Sequence, residues 1–166
     1  VVFYANLVAW IGCHADSHEV AGWFGDDIAF RADSYRVDWA GLPLLGLLRA
    51  RRARPAAAGV RRPGGVVPGR SAGRLSQLIH SHCASAGVLA DRVGLAKGVR
   101  EALAYFFERW DGSGLPVGAR GDAIPVEMRV VKLADVAEVH LRLAGVDGAV
   151  GMARSRSGTQ FDPAIA

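Results

Sequence analysis

One segment of this 166-residue chain limits the possible folds more than any other: the run FERWDGSGLP at residues 107–116. The apolar pattern before it is typical of an amphipathic helix, and its glycines are typical of a turn. A second run, GDAIPVEMR at residues 121–129, follows closely, and Pro125 favours the start of a helix, since proline is accepted in a first turn. The segment therefore predicts a helix, a glycine-rich turn and a second helix.

Helical periodicity extends over most of the chain. It predicts helices at residues 3–24, 27–35, 42–53, 74–93, 97–110, 126–143 and 146–155. The helix at 97–110 has an apolar stripe made of Val99, Leu103, Phe106, Phe107 and Trp110. Asp26 or Asp27 is suited to cap the helix that follows it. No stretch alternates like a strand, and hydrophobic residues make up 51% of the chain. We therefore expect an all-α domain with its own core.

Positive charge is concentrated in one part of the chain. No acidic residue lies between Asp38 and Asp91, whereas eight arginines do: Arg49, Arg51, Arg52, Arg54, Arg61, Arg62, Arg70 and Arg74. The net charge is +4, so the remainder of the chain is net −4, with 12 basic and 16 acidic residues. Residues 54–73 are rich in Pro, Gly, Ala and Arg, a composition typical of a linker. The arginines suit phosphate or nucleic-acid contact, but aromatic residues for stacking on single strands are missing among them.

The cysteine content and the N-terminal residues bear on where the protein resides. Cys13 and Cys83 are the two cysteines, too few for a disulfide framework or a four-cysteine zinc site. We therefore expect a reducing, cytoplasmic setting. The apolar run at the N-terminus lacks a basic leader and is too short to span a bilayer, so no membrane role is expected. The chain begins without Met, in the middle of a helical pattern, which favours a piece of a longer protein.

The central segment resembles the motif of the HD-GYP family of metal-dependent phosphohydrolases, His-His-Glu-Arg-Trp-Asp-Gly-x-Gly-Tyr-Pro. In this chain Phe106 and Phe107 stand at the two histidine positions and Leu115 at the tyrosine position. The matching turn residues are Glu108, Arg109, Asp111, Gly112, Gly114 and Pro116. We expect those turn residues to be structural, because Asp-Gly steps and glycines are turn chemistry. The resemblance implies an HD-domain-like helical bundle.

Other parts of the chain fall into the register of the same family. Ile11-Gly12 matches part of the family's His-Asp-Ile-Gly-Lys motif, which puts Ala9, Trp10 and Cys13 at its His, Asp and Lys positions. Asp135 occupies the metal-binding place of an Ala-Asp-x-x-Asp-like segment, and His82 matches a single family histidine. The tail SGTQFDP at residues 157–163 resembles the family's closing segment. The resemblance implies three parts: N-terminal helices (1–53), a flexible linker (54–73) and an HD-GYP-like core (74–166).

The resemblance also implies a chemistry. In the family, two or three metal ions activate a water that attacks a phosphodiester such as cyclic di-GMP. A binuclear centre takes at least five nitrogen or oxygen donors, and of the matching positions only His82 and Asp135 keep a donor. Iron or manganese is the expected cofactor of an active enzyme, and otherwise none is expected.

Each remaining donor also has a structural interpretation. His14 and His18 lie four residues apart, which places both on one helix face, where they either bind a metal or pair with neighbouring carboxylates. Asp135 follows Lys132 by three residues, the spacing of an ordinary ion pair on an exposed helix face. His82 is equally consistent with a structural histidine. Phe106 and Phe107 lie on the apolar stripe, where aromatic rings add core packing.

These patterns favour a catalytically degenerate HD-GYP-like domain that serves a larger bacterial signalling protein as a regulatory or ligand-sensing module. Its expected ligand is a cyclic dinucleotide or another phosphate compound. An active metal-dependent phosphohydrolase is the alternative, with donors supplied by His14, Asp16, His18, Asp26 or Asp27. An arginine-driven nucleic-acid-binding module is the second alternative, and nucleic acid is the less expected partner.

Overall fold

The protein is all-α in this computed structural model, which describes residues 1–24, 26–38 and 71–166. Its helices are α1 Val2–Ala9, α2 Cys13–Phe24, α3 Asp27–Ser34, α4 Ser71–Arg92, α5 Lys97–Leu103 and α6 Val126–Ser155. Two short 3-10 turns lie at Trp10–Gly12 and Gly121–Ala123. Over the described ranges the only β-type pairing is an isolated bridge between Ser157 and Phe161. The all-α prediction is confirmed.

Several predicted features lie wholly or partly outside the described residues. These are the helix at 42–53, most of the linker at 54–73 and seven of the eight arginines. Arg74 is described and lies exposed on α4. The helix α4 begins at Ser71, so the last three residues of the predicted linker are helical, and the division of the chain into three parts stays a prediction.

The predicted helix at 3–24 is interrupted by the turn Trp10–Gly12, which crosses α4. The reason is a close approach between two backbones. A Cβ atom on Gly12 would lie 2.4 Å from the carbonyl oxygen of His82, so only glycine fits there. The predicted cap is confirmed, because the Ala29 N–H donates to Oδ1 of Asp26 at 2.9 Å, at the start of α3.

The prediction of a helix at 97–110 is wrong at its C-terminal end, since α5 stops at Leu103. Beyond it the chain turns, and the Glu108 N–H donates to the carbonyl of Tyr105 at 3.0 Å. This turn directs the Glu108 side chain towards residues 117–119, where it binds backbone N–H groups. Phe106 is buried nevertheless, although it is not helical.

The long helix α6 breaks at Ala144 and Gly145, which have non-helical backbone angles. Gly145 has a φ of 68°, a conformation that glycine adopts without steric cost. The two helical stretches on either side correspond to the separate helices predicted at 126–143 and 146–155. Pro125 directly precedes α6 as its N-cap, one position before the predicted first turn.

The main core lies where α1, α4, α5 and α6 meet. Alanines let the helices approach closely, and larger side chains fill the space between them. The buried members are Ala5, Ala9, Ala86, Ala90, Val99, Ala102, Leu103, Phe106, Ile124, Met128 and Val131. A smaller cluster of Val136, Met152 and Phe161 attaches the C-terminal tail to α6. Of the described helices, none combines the length and apolar character that a membrane crossing needs.

Candidate functional site

Five ring-bearing residues from separate parts of the chain meet next to the main core. We name Trp10, Tyr35, His82, Phe106 and Phe107 the aromatic cluster. The Trp10 ring centroid lies 4.9 Å from that of Phe106 and 5.9 Å from that of Phe107, both edge to face. The two phenylalanine rings are 4.9 Å apart, and His82 lies 5.0 Å from Phe107. These distances are those of favourable aromatic pairs, so the cluster is packed core.

The cluster unites most of the positions that the sequence register had matched to metal ligands. Trp10 stands at the predicted Asp position, and Phe106 and Phe107 stand at the predicted His-His positions. An indole or phenyl ring offers a metal ion no lone pair. Residues that match separate parts of the family motif therefore lie together in the structure. Their side chains differ in chemistry from the metal ligands of that motif.

Asp135 also reaches this cluster. Its Oδ1 accepts the Trp10 indole N–H at 3.0 Å, and its Oδ2 accepts the Tyr35 hydroxyl at 3.0 Å. Burial, reinforced by the Asp135 charge, raises the pKa of Tyr35, so the phenol keeps its proton and donates it. Both carboxylate oxygens thus have protein partners.

The interpretation of Asp135 as half of an exposed ion pair with Lys132 is wrong. The Lys132 ammonium instead lies over the rings of Phe106 and Phe107, 5.0 and 5.4 Å from their centroids. Asp135 itself is half-buried. The aromatic rings draw the cation aside, because an ammonium is attracted to a ring face.

His82 is fully buried, and both of its ring nitrogens are engaged. Nδ1 lies 2.8 Å from Oδ2 of Asp16, and Nε2 lies 2.9 Å from the carbonyl oxygen of Ala9. Both ring nitrogens of His82 therefore have protein partners. The other oxygen of Asp16 pairs with Arg31. With this network His82 joins α4 to α2 and α1, and its predicted role as a metal ligand stays a prediction.

The structure brings together one group of three donors that the sequence did not single out. The ligand atoms of Cys13, Asp16 and His82 lie within 4.8 Å of one another. The spacing of Cys13 and Asp16 on α2 was a visible signal, but the approach of α4 was not. Burial raises the pKa of the Cys13 thiol to about 11, so the sulfur is a neutral thiol at pH 7 and a poor ligand.

The alternative donors are placed elsewhere. His14 and His18 are exposed on α2, and within the described part of the chain neither belongs to a three-donor group. Asp26 uses its carboxylate to cap α3. The predicted metal role of the two histidines stays a prediction.

The glycine-rich turn is held by a buried carboxylate. The oxygens of Glu108 accept the N–H groups of residues 117, 118 and 119, at 2.7, 3.1 and 3.0 Å. Asp111 accepts the Ser113 N–H at 2.9 Å, and Gly112 has a φ of 79°. Gly114 is required for a different reason, because its Cβ would lie 2.4 Å from the Arg109 nitrogen.

The turn is also joined to the C-terminal tail. The N–H groups of Trp110 and Asp111 donate to the carbonyls of Gln160 and Thr159, at 3.3 and 3.0 Å. The tail ends α6 by returning its own N–H groups, among them that of Phe161, to the carbonyl of Arg156. The turn residues and the tail therefore form one hydrogen-bonded unit.

These residues do not fit a binuclear metal centre. At the positions where the register expects donors, the rings of the aromatic cluster fill the space and contact one another. The two donors that remain, His82 and Asp135, have both of their polar atoms engaged by protein groups. The Cys13–Asp16–His82 group could hold one ion at most, and only after its hydrogen bonds and the thiol proton were given up.

Comparison with known proteins supports the resemblance seen in the motif. The HD domain family matches residues 70–165, more than half of the chain. A 3'3'-cGAMP-specific phosphodiesterase of Vibrio cholerae is 29% identical over 89 residues, covering 54% of this chain and 19% of that protein. A cyclic di-GMP phosphodiesterase of the same species is 39% identical over 72 residues, covering 40% of this chain and 15% of that protein.

One further relative and one solved structure extend the comparison. The Xanthomonas campestris cyclic di-GMP phosphodiesterase response regulator RpfG is 40% identical over 62 residues, 34% of this chain and 16% of RpfG. The crystal structure of a Vibrio cholerae cyclic GMP-AMP-specific phosphodiesterase superposes with a TM-score of 0.55 at 20% identity, over 97% of this chain and 41% of that one. The matches span a fifth or less of the curated relatives' length. The chain belongs to the HD domain family.

Proposed function

We propose that this chain is a catalytically degenerate HD domain that acts as a regulatory or ligand-sensing module of a larger bacterial signalling protein. One observation carries the proposal: Trp10, Phe106 and Phe107 are in mutual ring contact where the motif would hold ligands. Packed rings contribute hydrophobic stability and exclude the water that a hydrolytic centre would need. The domain then keeps the family's framework and uses it for binding.

The relatives' names suggest the class of ligand. They are phosphodiesterases of cyclic dinucleotides, so a cyclic dinucleotide or another phosphate compound is the ligand class we propose for this domain. We further propose that the domain works in the cytoplasm, where its two unpaired thiols stay reduced.

Metal content tests the proposal directly. The purified 166-residue chain is exposed to manganese, or to iron under reducing conditions, then desalted and measured by elemental analysis. We expect less than about one metal ion per chain, with the helical circular dichroism of a folded protein. Two or more ions per chain would overturn the proposal if they persist once the exposed histidines of α2 are removed, because such ions require a preserved metal centre.

A control variant separates surface binding from a buried centre. His14→Gln combined with His18→Gln removes the exposed pair that is able to hold an adventitious ion. Metal that binds the unsubstituted chain but not this variant is bound by the exposed histidines of α2. Two ions that persist in it would have to be held by buried donors, and would speak for an enzyme.

An active phosphodiesterase is the second candidate, and the Cys13–Asp16–His82 group is the observation that favours it. Cyclic di-GMP hydrolysis, followed by chromatography with manganese or iron present, tests this candidate. We expect no turnover, because three donors with a protonated thiol supply at most one weak site. Turnover that is lost in Asp16→Asn and retained in the histidine control would establish the enzyme instead.

Nucleic-acid binding through the arginine segment is the less favoured candidate, because no aromatic residues for stacking on single strands lie among those arginines. A gel-shift titration with duplex DNA at two salt concentrations tests it. Binding that weakens steeply with salt would support this candidate, since released counterions dominate such affinity.

A further inference from the structure

A cavity of about 90 Å³ lies beside the aromatic cluster. Its apolar side includes the rings of Trp10, Tyr35 and Phe107. Its charged side is made by three cations, Arg109, Lys132 and Arg156. We name this space the cation cavity. A small volume lined by aromatic rings and several positive charges raises the question of what neutralises those charges.

Only one of the three cations has a carboxylate partner. Arg109 forms a two-pronged pair with Asp38, whose Oδ2 accepts from the guanidinium at 3.2 Å. Arg156 donates instead to the Gln160 side-chain oxygen at 3.2 Å and to the carbonyl of Arg36 at 3.3 Å, both neutral acceptors.

Lys132 has no carboxylate partner either. Its ammonium lies over two phenyl rings, and in the described parts of the chain neither it nor Arg156 forms an ion pair. The residues numbered 39–70 cannot supply the missing carboxylate, because that stretch of sequence contains no Asp or Glu. The chain itself therefore leaves Lys132 and Arg156 without a carboxylate in direct contact, although Asp135 lies near enough to raise the pKa of Lys132 and Asp38 near enough to raise that of Arg156.

A buried cation without a carboxylate in direct contact is costly, so it either loses its proton or gains stability from a bound anion. A guanidinium does not lose its proton in proteins, which leaves Arg156 charged. Burial lowers the pKa of Lys132; the nearby Asp135 and Cys83 raise it, and the two guanidiniums of Arg109 and Arg156 lower it. Burial thus outweighs the attraction of Asp135, and an anion in direct contact with the ammonium would favour the charged form of the lysine.

We propose that the cation cavity binds one small oxyanion, a phosphate or a short carboxylate, between Lys132 and Arg156, against the rings of Trp10 and Phe107. The size of the space supports this class of ligand. A cavity of about 150 Å³ holds benzene, so about 90 Å³ has room for a group of a few heavy atoms.

This inference rests on the proposed function, because it names the ligand that the degenerate site senses. The chain has two lysines, Lys97 and Lys132, which allows a simple experiment. Protein labelled with ¹³C-lysine gives two side-chain signals, assigned with the Lys97→Met variant. Phosphate, acetate or cyclic di-GMP is then added at pH 7, with chloride adjusted to keep the ionic strength constant.

We expect phosphate up to about 10 mM to shift the Lys132 signal in a saturable manner and to leave the Lys97 signal in place. Lys97 is the matched reference, since it is exposed and paired with Glu101 on α5. An additional shift with acetate would extend the site to carboxylates. No saturable shift with either ion would overturn the inference, as would a shift with cyclic di-GMP alone.

A charge-removing variant supplies the second readout. Lys132→Met keeps the length and packing of the side chain, and we expect phosphate affinity, measured by calorimetry, to fall about tenfold. Lys132→Arg should retain most of the affinity, and Lys97→Met all of it. Equal phosphate affinity in Lys132→Met and the unsubstituted chain would contradict the site. Metal analysis separates the two proposals. A chain that binds neither metal nor phosphate refutes this inference and leaves the proposed function unaffected.

Discussion

Replacing Phe106 by alanine should strongly destabilise the domain, because this position now belongs to the core. The Phe106 side chain is 1% exposed, and its ring lies 4.9 Å from those of both Trp10 and Phe107. The Lys132 ammonium, 5.0 Å away, also loses its ring partner. Truncating a buried phenylalanine costs about 3–5 kcal/mol, a large share of the roughly 5–15 kcal/mol that holds a domain folded.

Urea unfolding followed by circular dichroism measures this loss, and thermal unfolding should show a Tm lower by about 6–20 °C. Phe3→Ala is the matched control, because the Phe3 side chain is 70% exposed, and its free energy of unfolding should change by no more than about 0.5 kcal/mol. If Phe106→Ala costs less than about 1 kcal/mol, the ring is not a packing element. The argument that aromatic packing replaced the metal site would then fail.

Two further predictions concern the turn and the half-buried thiol of Cys13. Glu108→Gln should lower the free energy of unfolding by about 1.5–3 kcal/mol, because the amide cannot accept all three backbone N–H groups. Urea unfolding measures this loss. The exposed Glu101→Gln is the control, and its effect should be close to zero. An equal loss of unfolding free energy in Glu108→Gln and Glu101→Gln would refute this prediction. Cys13, whose pKa is raised from 9.0 to about 11, should be alkylated by iodoacetamide at pH 8 about a hundredfold more slowly in the folded than in the unfolded chain. The same shift should lower stability between pH 9 and 11, where the unfolded thiol ionises first, and equal alkylation rates in both states would contradict it.

Local sequence patterns were sufficient for most of the helices. The stretches around α3, α4 and α6 follow from apolar periodicity, and the Asp26 cap and the break near Gly145 follow from residue chemistry. The end of α5 did not follow from local sequence patterns. The chain leaves the helix there, and Glu108 accepts from backbone N–H groups about ten residues further on. A periodic pattern contains no information about such a partner.

The candidate site was predicted only in part, for a similar reason. The motif register identified Trp10, Phe106 and Phe107 as substitutions at related positions, and the structure brings these rings into contact. The buried pair of Asp16 and His82 joins residues 66 positions apart, and no local pattern connects them. The cation cavity depends on tertiary packing as well, since Lys132 and Arg156 line it from opposite sides of the break at Ala144 and Gly145.

The persistence of the motif in a chain without its histidines has a physical explanation. Glu108 and Gly114 act on the backbone, through accepted hydrogen bonds and a close approach, and neither interaction involves a metal ligand. The same turn receives the tail, so losing it would also expose the buried Phe161. Requirements for folding therefore suffice to explain why these turn residues are present in this chain. A match to the turn accordingly identifies the HD framework, whereas activity has to be judged from the six or so side chains that face its centre.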